Sequence, residues 1–403
     1  MIYEFSNKVN NLAPSAIREI LKYTSEPGII SFAAGNPSSN AFPIEEISEI
    51  SKEIFEKFPE LALQYSITEW YQPLRELLKE KIAIDGNFSE KNSDDLIITS
   101  GAQQANELSA KVLCNENDTI LCEAPSFIGS LNSFRSYRVN LVGVPMEEDG
   151  ISINALAKAI KNNKNIKLLY TIPNFQNPTG CTMSLYKRKT LLEFAKRNNF
   201  VILEDNPYGD LRWNGEPLPS IKSFDTDGFV IYTGSFSKIL SPGLRVGYVS
   251  ANKEIISKIT VCKQVSDVHT NIWAQLICEQ WLEKSDINSH LKKLREIYRQ
   301  KCSLMIHELS NSLDESITFT KPEGGLFIWV TMPDSVDVNL FCKKLVEEHK
   351  VAVVPGNAFS IDENKKTNSF RLNFSTPSEE DIVKGCRILG NYSKTFLNLT
   401  HIK

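Results

Sequence analysis

Residues 200–210 read Phe-Val-Ile-Leu-Glu-Asp-Asn-Pro-Tyr-Gly-Asp, FVILEDNPYGD. The apolar run at its start has no polar alternation, so it describes a strand buried on both faces, as inside a parallel sheet. It stops at Asp205 and breaks at Asn-Pro. A carboxylate at the end of a buried strand needs a cationic partner, or it takes up a proton.

Runs of the same kind recur on both sides of this one. DLIITS (95–100), DTILCE (118–123), VNLVGVP (139–145) and IKLLYTIP (166–173) precede it, and GFVIYTGS (228–235) follows. Helical stretches starting at 102, 126, 152 and 184 separate them, which is a βαβ alternation. From about 285 the pattern changes to α+β. A long charged helix (286–312) leads to ITFTKPEGGLFIWVTMP, a helix (337–349), VAVVPGNAF, SFRLNFS and a last helix from 378. Upstream lie a helix over 14–24 opened by Pro14 and Ser15, the short strand of GIISFAAGNP, and helical periodicity over 44–58 and 72–84. The expectation is an α/β protein. A large domain over 46–284 holds a mostly parallel sheet, a small α+β domain covers 285–403, and the segment 1–45 joins the small one.

The totals suit that size of core and narrow the function. The 403 residues are 41% apolar and 23% charged, with a net charge of −4 and no dense basic run, which argues against nucleic acid as a partner. The N-terminus shows no export signal and no apolar stretch reaches membrane-spanning length, so a cytoplasmic location is expected and no membrane partner. The eight cysteines are scattered without a CxxC pair, which points to free thiols and to no metal.

In open α/β sheets, sites collect at the carboxyl ends of the strands. The residues there are Ser100, Gly101, Ala102 and Gln103; Ser126 and Phe127; Asn174 and Asn177; Asp205 and Tyr208; and Ser235, Ser237 and Lys238. Each has an ordinary structural explanation when taken alone; their recurrence after successive strands does not. In TGSFSKILSPGLRVGY (233–248) Lys238 stands among hydroxyls, with Arg245 seven positions on. A lysine of normal pKa is protonated and a poor nucleophile, whereas burial and a neighbouring cation lower it. In TSGAQQANEL a glycine and small residues open a helix whose free N–H groups favour a phosphate. An activated amine, a phosphate cup made by that helix start with Ser235 and Arg245, and a buried aspartate together fit pyridoxal 5'-phosphate.

These motifs resemble those of fold-type I pyridoxal-phosphate aminotransferases of class I/II, in particular the branch of 2-aminoadipate and kynurenine aminotransferases. The resemblance runs from SAIREILKYTSEPGIISFAAGNP to SFRLNFS and is carried by PNFQNPTG, EDNPYGDLRW, GSFSKILSPGLRVGY and GGLFIW. It implies that Lys238 forms the Schiff base and shuttles the proton, and that Asp205 pairs with the pyridine nitrogen. Asn177 and Tyr208 would serve the phenolic oxygen, and Phe127 would stack on the ring where the branch more often has tyrosine. Ser100, Gly101, Ala102, Gln103, Ser235, Ser237 and Arg245 would hold the phosphate. Tyr65 would reach it from the neighbouring subunit of a homodimer. Arg371 would grip the substrate α-carboxylate, assisted by Asn177 and the Gly35 turn, and Arg18 matches an arginine that meets a distal carboxylate in some relatives.

Two loops depart from the branch. YSITEWYQPL lacks a usual glycine, and GNPSSNAFP replaces a bulkier version beside the substrate side chain. The implied reaction moves an amino group from an aromatic, aminoadipate-like or branched-chain L-amino acid to a 2-oxo acid, with 2-oxoglutarate the expected acceptor. A β-lyase or other Cα chemistry on the same fold is the alternative. An effector-sensing domain of a transcription regulator would need a DNA-binding helix upstream; the chain opens essentially at the aminotransferase pattern, so that reading is set aside.

Overall fold

A computed structural model describes residues 3–10, 28–68, 71–362 and 365–401. The predicted helix over 14–24 lies outside them. The main sheet has the spatial order Asp94–Thr99, Gly247–Asn252, Val230–Ser235, Val201–Asp205, Ile166–Thr171, Thr119–Ala124, Asn140–Glu147 and Gly150–Ile151. Val230–Ser235, Val201–Asp205, Ile166–Thr171, Thr119–Ala124 and Asn140–Glu147 pair in parallel. Gly247–Asn252 runs antiparallel to both of its neighbours. The predicted apolar runs are therefore strands of one sheet, and the mostly parallel α/β reading stands. The seven longer strands are extended by a two-residue hairpin strand, Gly150–Ile151, on Asn140–Glu147.

The antiparallel strand was not read from the sequence. GYVSAN is short of large apolar residues, because its start is pressed against the beginning of the helix Ala102–Leu113. A Cβ on Gly247 would lie 2.8 Å from the Ala102 amide nitrogen. The helices Lys253–Asp267 and Ile272–Lys284 were also not read.

Helices cover the sheet where the periodicity placed them: Ala102–Leu113, Ile128–Arg135, Ile153–Asn162 and Leu185–Asn198. Their apolar faces join the strands in the core. Ile97, Leu108, Leu121, Leu169 and Ile202 are all fully buried. C-terminal to this layer, the long helix Ile287–Ser312 packs on Glu379–His401. A four-stranded antiparallel sheet accompanies them, in the order Thr318–Phe319, Phe327–Thr331, Ser369–Asn373 and Val354–Pro355. The N-terminal strand Ile30–Ser31 pairs in parallel with Val351–Ala352. The carbonyl of Phe32 accepts from the Asn373 amide at 2.8 Å. The chain thus returns to lay residues 33–36 beside Ser369–Asn373, where Arg371 stands.

Candidate active site

Asp205 ends the strand Val201–Asp205, in register with Thr233 on one neighbouring strand, and Tyr170 lies one residue before the end of the other. The Asp205 carboxylate is buried. Its Oδ2 accepts from the Tyr170 hydroxyl at 2.7 Å and from Asn106 Nδ2 at 2.8 Å, while its Oδ1 accepts from Thr233 Oγ1 at 3.2 Å. Burial pushes its pKa up, and these three neutral donors oppose the rise. No cation holds it among the described residues, so the partner foreseen from the sequence is replaced by hydrogen bonds. Asn106 and Tyr170 were missed by the sequence reading. A signal existed for each: Asn106 lies one helical turn from Ala102, and Tyr170 brings a phenol hydroxyl into a mostly aliphatic buried run, where it must find a partner.

Lys238 follows the strand Val230–Ser235 and is partly buried. Its Nζ donates to the carbonyl of Gly35 at 2.9 Å. Burial first, then the positive charges of Arg371 and Arg245, push its pKa down to about 8. Arg371 is buried on Ser369–Asn373. Its Nη1 donates to Asn177 Oδ1 at 2.9 Å and its Nη2 to the Ala33 carbonyl at 2.7 Å. Its guanidinium carbon lies 4.3 Å from the ring centre of Phe327 and 4.9 Å from that of Phe359. Burial lowers its pKa to about 10, which still leaves it charged at neutral pH. The Nε of Arg371 is buried without a hydrogen-bond partner. Asn177 Nδ2 in turn donates to the Tyr208 hydroxyl at 3.4 Å.

At the start of Ala102–Leu113, Gly101 takes φ 81°, and a Cβ there would lie 2.5 Å from Arg245 Nη2. Only glycine lets the guanidinium come so close. Arg245 is itself left-handed at φ 56°, an unusual conformation for a long side chain. Its Nη2 donates to the Ser100 carbonyl at 3.2 Å. Ser235 Oγ donates to Ser237 Oγ at 2.9 Å and accepts from the Ser237 amide at 3.1 Å. Phe127 is the residue before the helix Ile128–Arg135, with the buried and unpartnered Ser126 hydroxyl beside it.

Three predicted residues have other surroundings. The Gln103 side chain donates to the Gly129 carbonyl at 2.9 Å and to Ser133 Oγ at 2.7 Å, which leaves its backbone for the helix start. The Ser100 hydroxyl donates to Asp267 Oδ2 at 2.7 Å. Tyr65 is 83% exposed and meets His269 edge-on at 6.0 Å, in a surface groove with Phe55, Leu63 and Trp273. Arg18 lies outside the described residues. A cavity of about 600 Å³ lined by Asn206, Tyr232, Tyr248 and Arg212 does not include Lys238, Tyr208 or Arg371 in its lining, and of the residues named at the strand ends it reaches Asn174 and Ser235. Convergent chemistry, rather than the roominess of that cavity, marks the site.

A lowered amine, a buried guanidinium with a free donor and a glycine-opened helix start are thus found in one α/β chain built on a mostly parallel sheet. Residues 27–389 match the family of aminotransferases of class I and II, and the chain belongs to it. It is 40% identical over 97% of its length to aromatic-amino-acid aminotransferase 1 of Thermococcus litoralis, of which it covers 94%. Among solved structures it resembles Pyrococcus horikoshii kynurenine aminotransferase, at 37% identity and TM-score 0.93, with 97% of each chain covered. It also resembles the alpha-aminoadipate aminotransferase of Thermus thermophilus complexed with N-(5'-phosphopyridoxyl)-L-leucine, at 36% identity and TM-score 0.90, with 98% of each covered. The family expected from the motifs is therefore the family found, and amino-group transfer is its reaction.

Proposed function

We propose that this aminotransferase holds pyridoxal 5'-phosphate on Lys238 and passes the amino group of an aromatic, aminoadipate-like or branched-chain L-amino acid to 2-oxoglutarate. The observation that carries the reading is the joining of Lys238 and Arg371 through the 33–35 turn. Gly35 accepts from the amine and Ala33 from the guanidinium, so the group that reacts and the group that grips a carboxylate are fixed to one short stretch of backbone. The unpartnered Arg371 Nε suits a substrate carboxylate, and the acceptor capacity left on Asp205 suits a protonated ring nitrogen.

The cofactor, when bound, supplies an aldehyde that accepts and releases an amine and a ring that spreads the charge left on the substrate α-carbon. Lys238, with its pKa near 8, has a share of neutral amine at physiological pH and can take and return a proton at that carbon. Asp205 keeps the ring nitrogen protonated. Asn177 serves two ends, donating toward the phenolic oxygen beside Tyr208 and fixing Arg371. Gly101, Ala102, the Gln103 backbone, Ser100, Ser235, Ser237 and Arg245 form the phosphate cup, and Phe127 covers the ring. Phe327 and Phe359 hold the Arg371 plane, so that a carboxylate meets a fork already oriented.

Tyr65 is assigned to the partner subunit's phosphate cup in a homodimer. Its exposure, together with exposed Leu63, Ile67 and Trp273, supports that face as the contact. The division into 46–284 and 285–403, with 1–45 added to the second, is supported by the pairing of Ile30–Ser31 with Val351–Ala352. No helix among the described residues is long and apolar enough to cross a membrane; a cytoplasmic location is proposed with the rest. The test is formation of glutamate from 2-oxoglutarate with single amino acids as donors. Donor-dependent glutamate supports the reading, and its absence across the three donor classes refutes it.

A further inference from the structure

Beyond the groups that meet substrate or cofactor, four buried side chains form a directed hydrogen-bond chain that ends on Asp205. Asn106 Nδ2 donates to Ser130 Oγ at 3.1 Å, and Ser130 Oγ donates to the Tyr170 hydroxyl at 2.9 Å. Tyr170 then donates to Asp205 Oδ2 at 2.7 Å, where a second donor from Asn106 also arrives at 2.8 Å. Asn106, Ser130, Tyr170 and Asp205 are each at most 2% exposed, so water does not compete.

The direction of the chain follows from its members. An amide nitrogen only donates, so Ser130 receives and must pass its own proton onward; Tyr170 receives in turn and must aim its proton at the carboxylate. Such chains polarise each step and strengthen the last bond. We propose that Tyr170, oriented by Ser130 and Asn106, is a positioning residue that keeps the proton shared between Asp205 and the cofactor ring on the ring nitrogen. The inference rests on the assignment of Asp205 to that nitrogen.

The physical reason is a balance of two bases around one proton. Burial alone makes the Asp205 carboxylate more basic and draws the proton toward it. Two donors on Oδ2 and one on Oδ1 stabilise the charged carboxylate and leave the proton on nitrogen. Charges facing this group from neighbouring elements act in the opposite sense or at a distance. Burial and the Asp205 charge, with a smaller part from Glu123 two strands away from Asp205, raise the Tyr170 pKa, which makes that hydroxyl a committed donor rather than a base. Tyr208 stands on the other side and is itself pushed up by burial, so it too stays neutral.

The test is the nitrogen-15 chemical shift of ring-labelled pyridoxal phosphate bound to the wild type, Tyr170→Phe and Ser130→Ala at one fixed pH near neutrality. Wild type should give the shift of a protonated ring nitrogen. Tyr170→Phe keeps the shape of the side chain and loses only the donor. Its share of protons on the carboxylate should rise about tenfold, the size of one lost charge-assisted bond, moving the signal toward the unprotonated value. Ser130→Ala should move it the same way by less, and it carries the test should Tyr170→Phe not fold. A merely structural role leaves the shift in place. Cofactor-bound variants with the wild-type shift overturn the inference and leave Asp205 in its role. An unprotonated nitrogen in wild type overturns the assignment of Asp205 itself.

Discussion

Arg371 Nη1 donates to Asn177 Oδ1 across 2.9 Å, and the same asparagine reaches Tyr208 with its amide nitrogen. One side chain thus couples the group assigned to the substrate carboxylate to the group assigned to the cofactor ring. Arg371→Lys removes the planar fork and leaves Asn177 Oδ1 without its donor. The expected loss in kcat/KM for the amino donor is about 100-fold, or about 2.7 kcal/mol, measured in the first half-reaction. A loss confined to kcat with unchanged KM would contradict a role in gripping the carboxylate.

The ring faces beside Arg371 orient it without forming a hydrogen bond. Phe359→Leu keeps the site apolar and removes one cation–π face of about 0.5–2 kcal/mol. A rise in KM of about 2- to 30-fold is expected, with kcat little changed; steady-state kinetics check it.

The pKa of Lys238, lowered to about 8, predicts the pH dependence of cofactor loading. Below that value the amine of the cofactor-free protein is protonated and cannot attack an aldehyde. Loading should therefore slow about tenfold per pH unit below 8 and level off above it. The stability sign follows from the same shift. Between about 8 and the unfolded value of 10.5 the unfolded chain holds more protons, so the cofactor-free protein gains stability as pH rises through that window. Stopped-flow loading curves would show a midpoint near 10.5 if the site did not perturb the amine.

If Tyr65 completes the partner's cup, two inactive proteins should repair each other. Tyr65→Ala and Lys238→Ala homodimers, mixed and allowed to exchange subunits, would form hybrids in which one of the two sites has both native residues. Activity should appear on mixing and reach about half that of an equal amount of wild-type dimer per hybrid. Silence on mixing, with exchange verified by mass, would place Tyr65 in its own subunit's site, and a Tyr65→Ala homodimer active before mixing would place it in none.

The fold was legible where burial is two-sided. FVILED, DLIITS, DTILCE, IKLLYTIP and GFVIYTGS are continuous apolar runs because both faces of the sheet are covered there, and each became a strand; VNLVGVP became one too, but near the sheet edge and mostly uncovered, against the two-sided burial its apolar run suggested. GYVSAN escaped because close packing at Gly247 and a polar end leave it no such run. Lys238 and Asp205 were legible because a charge in an apolar setting demands an explanation, whereas Arg371 was reached only through the family resemblance. Asn106, Ser130 and Tyr170 were not read, since neutral polar residues are common in helices and strands and only the fold links these three to one carboxylate. The Phe327 and Phe359 faces escaped for a related reason: phenylalanine in a strand or loop is ordinarily core.

The central claim is that Lys238 holds an aldehyde cofactor that carries the amino group between two substrates. The most direct measurement is the visible absorbance of the cofactor-loaded protein, first with one amino acid alone and then with 2-oxoglutarate added. The account predicts that the yellow band bleaches, stays bleached until the oxo acid arrives, and then returns, with the fastest-bleaching amino acid naming the donor class. A band that persists while ammonia or pyruvate accumulates, or a protein that takes up no yellow cofactor at all, would contradict it.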